Sequence, residues 1–150
     1  FSPVSGYEYP ETPPPADYMT LINSISIYSG HDLTVLHPEV LNARCYAEDG
    51  VLYLKNAHNY ERFRVVVLPS TDMINLENLK ILKTFFDGGG KILATGVLPT
   101  KAFEYDETGE NDRMVQRLTE EIFGRDACDR HVMKDYCHHR NEAGGESFFL

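Results

Sequence analysis

Between Phe63 and Pro99 the chain reads FRVVVLPSTDMINLENLKILKTFFDGGGKILATGVLP. Val65, Val66, Val67 and Leu68 form a continuous apolar run. Such a run, rather than an alternating one, suits a strand covered on both faces. Pro69 ends it, because proline brings no N–H to a ladder. After the polar loop residues Ser70, Thr71 and Asp72, Asn75 is placed to cap a helix. Leu76, Leu79, Leu82, Phe85 and Phe86 recur at helical spacing and predict a core-facing stripe. Gly88 stands where a left-handed residue ends a helix, and Ile92, Leu93 and Ala94 open a second apolar strand. This is a βαβ pattern, and its two strands are expected to be parallel, adjacent and central in the sheet.

The remaining chain extends the α/β pattern. Ala16 to Ser29 predicts a first helix, with Tyr18, Leu21, Ile22 and Ile25 on one face and Gly30 as the stop. Leu33 to Leu36 reads as a short strand, and HPEVL after it as a turn or a single helical turn. Glu48-Asp49-Gly50 is a turn before a strand at Val51 to Leu54, expected to pair at an edge. An acidic loop, EYDETGEND, spans 104–112, and Arg113 to Phe123 predicts a helix with Met114, Val115, Leu118 and Ile122 inward. Residues 125–142 are polar and fit neither period, while Ser147 to Leu150 reads as a last strand. Residues 1–15, FSPVSGYEYPETPPP, are rich in proline and read as a linker or docking arm before an α/β domain at 16–150.

Composition narrows the classes. The chain has 150 residues, enough for one domain with a real core. Its formal charge is -9 and its pI about 5.0, with no basic stripe, which argues against a nucleic-acid partner. No apolar run approaches the roughly 20 residues of a membrane-spanning helix. Three cysteines, an odd count without framework spacing, argue against a disulfide-stapled fold. The chain begins at Phe1 and shows no signal-peptide pattern, so it reads as a piece of a longer polypeptide.

LHPEVL, YERFRVVVLPS, a helix, FFDGGGKILATGVLP and a further helix together resemble the class I glutamine amidotransferase-like domain of large bacterial glycoside hydrolases. The α-L-rhamnosidase-type enzymes carry such a domain, and the β-galactosidase trimerisation domain is similar. The resemblance covers roughly Tyr18 to Phe123 and is carried most by VVVLPS and GGGKILATG. It implies a three-layer, flavodoxin-like α/β fold with a mostly parallel sheet. It also implies a role beside a catalytic domain, with neighbouring domains of a parent hydrolase as partners and a periplasmic or extracellular setting. Two departures matter. The family's sheet opens with a strand before the first helix, and residues 1–15 hold no apolar strand. True amidotransferases carry a cysteine in a G-x-C-x-G elbow, where Ala94-Thr95-Gly96-Val97-Leu98 places Gly96. Their His-x-Glu lies late in the chain, whereas His37-Pro38-Glu39 comes before the elbow, so the nucleophile and its base cannot be assembled.

Other constellations have simpler readings. Cys128, His131, Cys137, His138 and His139 are metal-ligand types, but C-x2-H-x5-C-H-H matches no zinc knuckle and reads as loop. His31-Asp32 reads as a helix end and a turn rather than an acid–base pair. Gly88-Gly89-Gly90 lies at a helix C-terminus, the wrong dipole end for phosphate. Asp106, Glu107, Glu110 and Asp112 read as a solvated loop. No catalytic residue, metal or cofactor is expected. Ligands of open α/β sheets bind beyond the strands' carboxyl ends, which makes Ser70, Thr71, Asp72 and Gly96 the candidate ligand-binding residues. The expected function is a non-catalytic accessory or assembly domain of a glycoside hydrolase, held against neighbouring domains through the arm and Phe148-Phe149-Leu150 and tending to self-associate when cut loose. The alternatives are a small-molecule or carbohydrate-binding module and, third, an independent amidotransferase-like enzyme.

Overall fold

The computed structural model describes residues 18–58, 60–128 and 136–150. The arm predicted at 1–15, the start of the first helix and His131 lie outside the described residues. Helix α1, Tyr18–Ile22, continues as a wider π-type turn over Asn23–Tyr28, and none of the residues in that turn is buried. Residues 31–37 are irregular, so the strand expected at Leu33 to Leu36 does not form. HPEVL instead starts a two-turn helix, α2, Pro38–Arg44. His37 caps it by accepting from the Glu39 N–H at 3.3 Å, and Pro38 takes the first-turn position where its missing N–H costs nothing.

An antiparallel meander follows: β1 Cys45–Glu48, β2 Val51–Lys55 and β3 Tyr60–Phe63. β2 is therefore the middle strand, not an edge. Its turn is Asp49-Gly50, with φ of 48° and 70°. Two positive φ values in a two-residue loop match the right-handed twist of a hairpin. Leu52 and Leu54 face inward with Cys45, and Tyr46, Tyr53 and Arg62 form one cross-strand row.

β4, Val65–Leu68, leads through β5, Met73–Ile74, to helix α3, Leu76–Asp87, and on to β6, Lys91–Ala94. β4 and β6 are parallel neighbours, with Val66 opposite Ile92 and Leu68 opposite Ala94, as the pattern predicts. Asn75 caps α3, accepting from the Asn78 N–H at 3.0 Å. The helix stop falls one residue later than expected. Gly88 has φ -79°, and Gly89 takes the positive value, 101°. Gly88 is still required, because a Cβ there would lie 2.6 Å from the backbone nitrogen of Gly50. The meander's turn and the end of α3 thus meet backbone to backbone.

The chain then forms β7, Lys101–Ala102, helix α4, Glu110–Phe123, a single turn α5, Arg125–Cys128, and the hairpin β8, Cys137–Arg140, with β9, Glu146–Phe149. β5 and β7 form a two-residue parallel pair. The main sheet has the order β4-β6-β9-β8, with β8 antiparallel to β9.

This architecture corrects the expected three-layer, mostly parallel flavodoxin-like fold. The meander is wholly antiparallel and forms its own sheet, and the four-stranded sheet is mixed. β4 is not central but an edge strand, and Val65 on it is 55% exposed. The physical reason is the direction of strand order. β4, β6 and β9 succeed one another across the sheet without reversal. Right-handed crossovers that all step the same way put their helices on the same face. Val66, Leu68, Ile92, Ala94 and Ser147 accordingly face α3 and α4, with Leu79, Phe85, Phe86, Val115 and Ile122 filling the core. The opposite face carries Val65, Val67, Leu93 and Phe148, none of which joins that core. The run VVVL is continuous in hydrophobicity but not in burial.

Candidate functional site

The carboxyl ends of β4 and β6 bring the four predicted ligand-binding residues together. Ser70 Oγ accepts from the Val97 N–H at 3.1 Å, and the Thr71 N–H donates to the Val97 carbonyl at 3.1 Å. The Thr71 hydroxyl donates to the Met73 carbonyl at 2.7 Å. Asp72 is buried, and its backbone carbonyl accepts from the Thr100 and Lys101 N–H groups at 3.0 and 3.1 Å. Gly96 donates to the Leu150 carbonyl at 2.9 Å. These bonds run to Val97, Met73, Thr100, Lys101 and Leu150; they tie the two loops together and lead the chain into the β5–β7 pair.

Gly96 has φ 70°, in the region that favours glycine. A Cβ there would lie 2.6 Å from Ser70 Oγ and 2.7 Å from Ser70 Cβ. The turn after β6 is thus filled by the serine hydroxyl. The parallel strands β4, β6 and β9 step across the sheet without a reversal of order, and such a reversal is what opens the crevice of doubly wound sheets.

The charged loops are employed in capping. Asp106 accepts from the Thr108 hydroxyl at 2.6 Å and from the N–H groups of Thr108, Glu110 and Asn111 at 2.8, 3.1 and 2.8 Å. The Thr108 hydroxyl first, then the Asn111 N–H, hold its carboxyl well below the usual carboxylate range. Glu104 reaches α3, accepting from the Leu76 N–H at 3.1 Å and from the Asn75 side-chain amide. Glu146 lies in a row between Lys91 and Arg140, and the Lys91 ammonium at 2.8 Å is the main cause of its lowered pKa. Both shifted carboxyls are lowered, away from the range of a general acid that carries its proton at neutral pH.

The histidines of the polar tail have structural partners. His139 Nδ1 lies 2.8 Å from the Ile122 carbonyl, which only accepts, so Nδ1 carries the hydrogen. Ser147 Oγ donates to the same carbonyl at 2.6 Å. Ile122 is in the last turn of α4, where helix carbonyls lack intrahelical donors. His138 stacks on Phe148 at 4.5 Å between ring centroids. Among the described residues no group of three or more His, Cys, Asp or Glu side chains could hold a metal ion. No described helix is long and apolar enough to cross a membrane.

Sequence reading missed one surface feature, the row Tyr46, Tyr53 and Arg62. The two tyrosine rings stack at 4.9 Å and 11°. Lys55 Nζ lies 4.6 Å from the Tyr46 centroid, and Arg62 Cζ 5.7 Å from that of Tyr53. A sugar-stacking platform needs a free ring face, and here each ring faces the other tyrosine and a cation. An open groove beside it is lined by Arg44, Cys45, Tyr46, Lys55 and Asn56. Register could have disclosed this row, but the flanking strands β1 and β3 were not predicted. Compared with family models, curated proteins and solved structures, the chain matches none.

Proposed function

We propose that this chain is a non-catalytic accessory domain of a larger carbohydrate-active hydrolase, packed against neighbouring domains of the same polypeptide. The observation that carries the non-catalytic part is position 96. The amidotransferase elbow needs a side chain there, and Ser70 Oγ occupies the space a Cβ would take. The class of parent enzyme rests on the resemblance of VVVLPS and GGGKILATG to the hydrolase-borne domains.

Exposed apolar groups support a docking role. Val65 at the open edge is 55% exposed, Phe103 67% and Tyr105 89%. Large apolar side chains standing in water are used where another surface covers them. The test is to assay the purified chain against glutamine and aryl glycosides. The expected result is turnover no greater than a buffer blank. Turnover abolished by a point substitution within this chain would overturn the reading.

A further inference from the structure

We propose that Cys128 and Cys137 are a thiol pair that peroxide closes to a disulfide, tying the end of α5 to the outer strand β8. The geometry comes from the junction of α4 with the sheet. The Ile122 carbonyl accepts from both His139 and Ser147, which fastens the last turn of α4 to β8 and β9. At the next bend, a Cβ on Gly124 would lie 3.5 Å from His139 Cγ. Gly124 and His139 are therefore in contact, and each is a short step from a cysteine. Cys128 is one helical turn beyond Gly124, a rise of about 6 Å. Cys137 is two residues before His139 on β8, about 7 Å back along the strand. Alternation puts Cys137 on the same face as His139, toward the helices. A disulfide needs Cα atoms roughly 4.4–6.8 Å apart, a spacing within reach of these two steps.

Cys137 lies near enough to act on the Cys128 thiol. The Cys128 thiol is pushed up to about 11, first by burial, then by the Glu120 carboxylate, then by Cys137 itself. Cys128 as a residue is exposed to solvent, so a small oxidant can reach the pair. Cys45, the third cysteine, is buried in β1 and has no part in this junction.

The chemistry balances with hydrogen peroxide as the oxidant. One thiolate attacks a peroxide oxygen, the O–O bond breaks, and a sulfenic acid and one water result. The second thiolate attacks that sulfur, the S–S bond forms, and hydroxide leaves and is protonated to a second water. Two electrons and two protons pass from the thiols to the peroxide.

The experiment treats the full chain with peroxide, titrates free thiols in denaturant, and maps peptides without reduction. Loss of two thiols of the three, with a peptide linking residues 128 and 137 within one chain, is the expected result. Cys128→Ser and Cys137→Ser should each prevent the link, Cys45→Ser should keep it, and dithiothreitol should restore the thiols. Three free thiols after oxidation, a link that includes Cys45, or one that joins two chains would overturn the proposal. Thiol counts on the unsubstituted chain decide the matter even if a serine variant folds poorly.

Discussion

Gly96 is closed to other residues by two separate effects. Its φ is 70°, and Ser70 Oγ sits where a Cβ would go. Gly96→Cys is therefore expected to lower stability by about 1–3 kcal/mol, measured by urea unfolding, and to create no glutaminase activity. Adding Ser70→Gly should recover only the steric part, because the backbone strain stays. Asp106 acts through charge. Its folded pKa lies below the ordinary 3.8, so its stabilising effect is present above that value. The effect fades as pH falls below 3.8 toward the folded value. Asp106→Asn should lower the urea midpoint at pH 7 and show a smaller further loss than the parent chain on acidification through that window.

At the scale of elements, edge placement decides what a strand tolerates. Val65→Thr at the exposed end of β4 should change stability by no more than about 0.5 kcal/mol. Phe85→Ala, at a fully buried position of α3, should cost about 3–5 kcal/mol by the same measurement. A large cost at Val65 would instead restore β4 to the centre of the sheet. Helices α3 and α4 were legible because each carries a long apolar period and its own stop. The β4–β6 pairing was legible because both runs are apolar and a helix joins them. β1, β3 and β8 were not, since CYAE, YERF and CHHR carry too little hydrophobicity to signal a strand and depend on hairpin partners for their form. Strand order was not legible either, because one apolar run can serve an edge or a centre. At the strand ends Ser70 and Gly96 lie against each other, a close approach that could not be read from sequence.

Across the whole molecule, one face of the main sheet is packed by helices, and the edge at β4 is unpaired within the sheet. The chain on its own should self-associate as its concentration rises, seen as a growing sedimentation coefficient. Val65→Lys should weaken that association without shifting the unfolding midpoint, since a charge on an open edge discourages strand addition.

β9 is the last of the described strands in chain order and also an inner one, lying between β6 and β8. During synthesis, β4, α3 and β6 leave the ribosome able to pair, yet β6 waits with one side open until Glu146–Phe149 emerges. Closure of the sheet thus waits on β9. A chain cut before Glu146 should remain protease-sensitive through α4, whose Ile122 carbonyl then lacks the Ser147 hydroxyl. Restoring residues 146–150 should bring protection in one step.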